Sequence, residues 1–327
     1  MKQIKQLSLT LLLLITAATG AMAQTTYKVS VKEGTEDATS WQGKAGEGEY
    51  QALPLEGVAA GAAVTVTYTG TKRLIGFKAV KKAVKPDLLS GVFSVSASKK
   101  VNFSKGNLRY ESSKWSFFDN QYDYYTSYSA DAWDKFGWST SATTYGMNTS
   151  TDNGTYSGDF VDWGSNSDLQ TALGTGWRTL TSDEWTYLFN TRSASTVGGT
   201  DNGRYAKAKV NNVQGVILFP DTYTHPDGVT APTGVNATNN TGWNGNNYTV
   251  ADWTKMESAG CVFLPAAGGR DGSTVYSEAT SGIYRSATLN GTGSAYYVSF
   301  NSNSLTPANS NKRSYGLSVR LVREVTE

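Results

Sequence analysis

"YYVSFNSNSLTPANSNKRSYGLSVRLVRE" occupies residues 296–324. It opens with Val298 and Phe300 alternating with polar or amphipathic neighbours, and it closes with Leu317, Val319 and Leu321 in the same two-residue rhythm. That rhythm predicts strands with one face turned to a core, so these five residues are expected to pack inward. The middle is nearly all Asn, Ser, Thr, Lys and Arg, which can add little to a core. Two strands flanking a polar segment therefore set the frame for reading the rest of the chain.

The same period recurs upstream. Residues 91–125 hold Phe93/Val95/Ala97, Val101/Phe103 and Trp115/Phe117, separated by turn residues, as in a meander of antiparallel strands. "VQGVILFP" (213–220) and "CVFLPAAGG" (261–269) are continuous apolar runs that read as strands buried on both faces. Three short helices are expected. "SADAWDKFG" (129–137) spaces Trp133 and Phe136 three apart. "TSDEWTYLFN" (181–190) carries a Thr181–Glu184 capping box and a stripe of Trp185, Leu188 and Phe189. "TVADWTKMESAG" (249–260) sets Trp253 and Met256 on one face and stops at Gly260. Trp177 and Trp185 are expected in the core. The segments 139–167 and 221–249 are long, polar and rich in Gly and Asn, as functional or partly disordered loops are. Residues 91–325 thus read as one α+β domain.

The N-terminal stretch "MKQIKQLSLTLLLLITAATGAMAQ" orders two lysines, an apolar run and small residues as a signal peptide does, with cleavage expected after Ala23. Residues 24–82 read as a small β module, with Tyr27, Val29 and Val31 on one strand. A hairpin of Val64, Val66 and Tyr68 is expected to turn at 69–72 and return through Leu74–Ala79. Pro86 breaks pairing in a linker at 83–90. No later segment reads as a membrane span.

Charge and rare residues narrow the function. The chain has 29 basic and 27 acidic residues, and Lys2 and Lys5 belong to the leader, so the mature chain is balanced and nucleic acid is not an expected partner. One Cys excludes an intramolecular disulfide. Cys261 lies among Val262, Phe263 and Leu264 and reads as a small buried residue. The one His, His225, sits in the turn-like "THPDG". A Ser-His-Asp site or a zinc centre would have to be built around that residue, so no cofactor and no enzymatic activity are expected. Carboxylates that could serve a glycan-cleaving enzyme are Asp159/Asp162 and Asp183/Glu184. Asp162 and Asp168 are a weak metal pair. For Asp183 and Glu184 the helix-cap role is the simpler one.

"FSVSASKKVNFSKGNLRY", "DKFGWSTS", "GWRTLTSDEWTYLFNTR", "RYAKAKVNNVQGVILFPD", "AGCVFLPAAGGRDG" and "YGLSVRLVR" follow one another in a familiar order. Across 91–325 the chain resembles secreted FISUMP-type proteins (the major paralogous domain group) and the variable proteins of diversity-generating retroelements. The resemblance implies a C-type lectin-like fold related to the formylglycine-generating enzyme. It further implies that 284–315 is a terminal segment displaying a binding face, rewritten at adenines in retroelement-diversified relatives. Of its 32 residues, 5 are Asn, 7 Ser and 4 Tyr. Antibody loops share that composition, because Tyr offers rigid contact area and Ser and Asn offer adaptable hydrogen bonding. The expected contacts are Tyr284, Arg285, Asn290, Ser294, Tyr296, Asn301, Asn303, Asn309, Asn311, Lys312, Ser314 and Tyr315. At Arg285 the chain departs from the family pattern, which places a buried Trp there. Cysteines of the formylglycine-generating type are absent, and "WNG" at 243–245 lacks the acid of sugar-binding lectins. The expected function is adhesin- or receptor-like binding of a protein or glycan on a host or bacterial surface. A structural subunit or tip protein of a surface fibre is the alternative.

Overall fold

The computed structural model describes residues 8–12, 26–29, 32–33, 36–37, 41–45, 48–53, 55–59, 63–68, 82–83 and 87–325, the last without 141–143 and 240–241. The chain divides into two compact units, Met1–Pro86 and Asp87–Glu327. Its described part is mostly β-sheet with three short α-helices, an α+β composition. No helix among the described residues is long and apolar enough to cross a membrane.

The described residues of the first unit form strands only. Ala63–Tyr68 lies between Ser8–Leu12 and Trp41–Ala45, and Gln51–Ala52 completes that sheet. Thr26–Val29 lies between Leu55–Ala59 and Lys82–Ala83 in a second. Ser8–Leu12 falls within the stretch read as a leader. The cleavage site and the return strand expected at 74–79 lie outside the described residues.

The second unit is built on a five-stranded sheet made largely from the C-terminal stretch. Its strands are Lys135–Phe136 (β1), Ser281–Asn290 (β2), Ser294–Asn301 (β3), Leu305–Lys312 (β4) and Leu317–Ser318 (β5), in the order β1-β5-β2-β3-β4. Neighbours are antiparallel except β2 and β5, which meet in parallel at Tyr284 and Ser318. The polar segment 301–315 is therefore mostly a strand, β4, rather than a loop. Main-chain pairing to β3 holds it, and within the strand Leu305–Lys312 only Leu305 is buried. Being the edge strand, it needs no apolar outer face.

Alternation sorts the sheet into two faces. Tyr284, Val298 and Phe300 point into a core shared with Leu305 and with Trp185, Leu188 and Phe189. Those last three come from a helix, Ser182–Asn190, whose Thr181/Glu184 capping box forms as expected. Tyr284 stacks on Phe300 with ring centres 5.9 Å apart. The stack has room because residue 282 is glycine: a Cβ there would lie 2.0 Å from the Phe300 ring. Gly282→Ala should cost about 1–3 kcal/mol through forced repacking, read as a lower unfolding midpoint in urea with an unchanged slope.

A second sheet orders Asn247–Tyr248, Tyr205–Val210, Val213–Leu218 and Val262–Pro265. Its two faces feed different cores, one with Val216, Leu218 and Leu264, the other with Ile217, Phe219 and Phe263. That explains the continuous apolar runs. The helix Val250–Ser258 closes the second core with Trp253 and Met256.

Three expectations change. Residues 129–137 form no helix: Ala132–Trp133 pairs with Tyr110–Glu111, and Lys135–Phe136 pairs with Leu317–Ser318. A three-residue spacing suits two short strands either side of a bend, and partner strands were available to both. The meander is split. Lys100–Phe103 pairs with Phe93–Ser94 and with Val322–Glu324, while Leu108–Glu111 joins a different sheet with Lys114–Phe117. An unexpected helix, Ser167–Leu173, follows Asn166, whose side chain accepts from the Leu169 N–H. Leu169 seats it in a third core with Trp163, Trp177, Val319 and Leu321.

Buried polar groups tie these cores together. Arg192 is fully buried and pairs with Asp221 at 2.9 Å, while its remaining N–H groups donate to the carbonyls of Leu188, Arg204 and Phe219. The Asp221 carboxylate also accepts from the N–H and hydroxyl of Ser94. Arg320, equally buried, donates to Gln121, which reaches Glu257 and the main chain of Cys261 and Phe263.

Candidate ligand-binding face

The outer face of the five-stranded sheet carries Ile283 and Arg285 from β2 and, directly opposite Arg285, Tyr297 from β3. Asn309 of β4 sits opposite Tyr297, and Asn311 opposite Ala295. A hairpin of Gly269–Asp271 and Thr274–Tyr276 borders this face, turning at Gly272-Ser273, where Gly272 takes φ +58°. Tyr276 meets Tyr315 edge to face with ring centres 5.9 Å apart.

Together Asp271, Tyr276, Ile283, Tyr297, Asn311, Tyr315 and Leu317 line an open cleft of about 270 Å³. That is slightly below the roughly 300–1,000 Å³ typical of sites for drug-sized ligands, so it suits a single ring or a short chain. Tyrosine walls offer flat apolar faces and hydroxyls, and Asp271 and Asn311 add acceptors and donors at the rim.

Arg285 is buried beside this cleft, opposite Tyr297 and without lining it. It is 1 % exposed, and burial lowers its pKa to about 9, opposed by the nearby hydroxyls of Tyr276, Tyr297 and Tyr156. One terminal nitrogen donates to the carbonyls of Phe136 and Tyr315. Its Nε and other terminal nitrogen have no acceptor, and no carboxylate pairs with it among the described residues. Burial also pushes Tyr276 up to about 12 and raises Tyr297, so both hydroxyls remain donors at neutral pH.

Beyond the cleft the face is held down by the segment 139–167. Its Asn153 donates to the Gly293 carbonyl and accepts from the N–H groups of Arg313 and Ser314, at 2.5, 2.8 and 3.2 Å. Three main-chain groups on two loops thus share one side chain. Asn153→Ala should cost about 1–3 kcal/mol by leaving buried partners unmet, read as faster amide exchange at Arg313 and Ser314.

The expected contacts divide accordingly. Asn303, Asn309, Asn311 and Lys312 are exposed, and Asn290, Ser294, Tyr296 and Tyr315 are half-buried. Four are corrected. Tyr284 points to the core, where its hydroxyl donates to the Pro265 carbonyl and accepts from Asn107. Alternation with Ile283 and Arg285 forces it inward. Ser314 is buried beneath Asn153. Arg285 is buried too, so it can act on the cleft only from beside it. Asn301 serves the backbone instead, because its side-chain oxygen accepts from the N–H groups of Asn303 and Ser304 and shapes the β3–β4 turn. Val298, Phe300, Leu317, Val319 and Leu321 are all buried, although Leu317 also walls the cleft.

Sequence reading missed Asp271, Tyr276, Ile283, Tyr297 and Asn153. A Gly-Ser pair at 272–273 is a hairpin-turn signal that could have found Asp271 and Tyr276, and alternation with Val298 could have placed Tyr297 outward. Nothing in the sequence marked Asn153.

Other polar candidates are committed elsewhere. Glu184 binds Arg178 through both oxygens at 2.8 Å and closes the helix cap. Asp162 accepts from Gly164, from the Thr179 N–H and from the Thr179 hydroxyl, and burial still raises its pKa. No group of three or more metal-ligating side chains occurs among the described residues. His225 faces the Val229 carbonyl through Nε2, which must therefore carry the proton, and Nδ1 accepts from the Tyr223 hydroxyl. No family model matches the chain, nor does any curated protein or solved structure.

Proposed function

We propose that the chain is a secreted, non-catalytic ligand-binding protein, adhesin- or receptor-like. On this reading the second unit is a C-type lectin-like domain, and the outer face of its five-stranded sheet engages a protein or glycan on a host or bacterial surface. The observation that carries it is the cleft between Tyr276, Tyr297 and Tyr315, bordered on β4 by Asn311, with further exposed polar side chains along that strand. Rigid aromatic walls beside short adaptable amides suit recognition by a shallow face. The six ordered sequence strings support the lectin-like assignment, and the leader-like N-terminus supports export.

The test is a glycan-array and cell-surface binding screen of the purified chain, repeated with a Tyr315→Ala, Asn309→Ala, Asn311→Ala triple variant. Binding should fall at least about tenfold, the worth of one lost anchor, with stability little changed. Binding that ignores these substitutions would sink the reading. Spontaneous polymerisation of the purified chain would favour a fibre subunit instead. Diversification by a retroelement has its own test, sequencing the 3′ end of the gene across sibling isolates. Substitutions should cluster at adenine-derived codons for exposed β4 positions and spare the core face.

A further inference from the structure

We infer that the tyrosine cleft takes a carboxylated sugar, a uronic or sialic acid residue of an acidic glycan, with Arg285 as the buried positive charge that selects the carboxylate. This rests on the ligand-binding reading above and names the ligand class for that same site.

A buried guanidinium normally meets a carboxylate or a full set of acceptors, because an ion without partners costs several kcal/mol to bury. Arg285 meets neither requirement. Two of its nitrogens lack acceptors, and Tyr276, Tyr297 and Tyr156 are the titratable side chains near enough to influence it. Tyr276 and Tyr297 are also walls of the cleft, and Ile283, two residues before Arg285 on the same strand face, is another. Arg285 sits opposite Tyr297 across β2 and β3 and donates to the Tyr315 carbonyl, so the unpartnered guanidinium adjoins two walls of the cleft. A carboxylate among the tyrosine hydroxyls would receive their hydrogen bonds and sit beside the guanidinium in a low-dielectric setting, where attraction is weakly screened.

The rest of the lining points to a sugar rather than a simple anion. Flat tyrosine rings give a pyranose apolar faces to lie against. Asp271, which would repel a bare anion, accepts hydroxyl hydrogens, and Asn311 can donate or accept. A sugar bearing one carboxylate and several hydroxyls satisfies both ends of the cleft.

The experiment is titration of the full chain with glucuronate, N-acetylneuraminate and neutral glucose, followed by calorimetry or ligand-observed NMR. One of the two acids should bind about 10- to 100-fold more tightly than glucose, the span expected for a charge-assisted contact. Arg285→Met should erase that preference, and Tyr297→Phe, which keeps the ring and removes one donor, should weaken it several-fold. The second variant keeps the test open if the first does not fold. Equal binding of acid and neutral sugar, or acid binding that survives in both variants, overturns the inference while leaving a binding face. So does failure of all three sugars alongside a positive surface screen. Failure of the sugars and of the surface screen together removes both readings.

Discussion

Asp221→Ala is expected to remove about 3–5 kcal/mol from the stability of the second unit, the usual cost of stranding a buried charge. The carboxylate satisfies Arg192 on one oxygen and the N–H and hydroxyl of Ser94 on the other. Its loss leaves a fully buried guanidinium facing only carbonyl oxygens and removes the side-chain bonds to Ser94, while the main-chain bond from residue 221 to the Val92 carbonyl stays in place. Burial already holds the Arg192 pKa down to about 10, so no further loss of partners is tolerated cheaply. The double variant Asp221→Ala, Arg192→Met should recover a large part of the loss, because an apolar side chain needs no counter-charge. Urea unfolding followed by Trp fluorescence measures both, since all tryptophans except Trp41 lie in the second unit. A loss below about 1 kcal/mol, in the range of an exposed pair, would show that the ion pair does not hold these elements together.

Arg285→Met should do the reverse and raise stability by about 1–4 kcal/mol while abolishing the preference for acidic sugar. The wild type carries a buried cation with unmet N–H groups, and an apolar chain of similar length fills the space without that cost. The pH dependence supplies a second readout. Arg285 has a pKa of about 9 in the folded protein, well below an unfolded arginine, so above that pH the unfolded state binds more protons. Stability contributed by this group therefore rises with pH. The cost of the charged form is fully present below pH 9 and is relieved above it. The stability gap between variant and wild type should be flat through neutral pH and narrow in alkali. A variant less stable than wild type at pH 7 would mean that the two carbonyl contacts of Arg285 outweigh its burial.

How far the sequence disclosed this architecture depends on whether a residue's role was local. The Thr181–Glu184 capping box, the doubly buried strands and the inward set Val298, Phe300 and Leu321 were legible because period and cap chemistry act over a few residues. Residues 129–137 were misread because pairing with Tyr110–Glu111 and Leu317–Ser318 decides their state, and those partners are distant in sequence. The segment 301–315 was read from its polarity, yet an edge strand takes its order from main-chain bonds and leaves its side chains free to be polar. The burial of Arg192, Arg285 and Arg320 has no local sequence signal, since charge by itself argues for solvent. Asn153 could not be found from sequence at all, for its partners lie 140 to 161 residues away.

The chain's single thiol, Cys261, is wholly buried and burial raises its pKa, so thiol reagents at neutral pH have no native target. A cysteine placed at exposed Asn309 on β4 would then be the one position to take a maleimide dye. Such a conjugate, prepared without removing the native cysteine, places a fluorescent reporter beside the cleft and turns the protein into a direct optical sensor of whatever it captures.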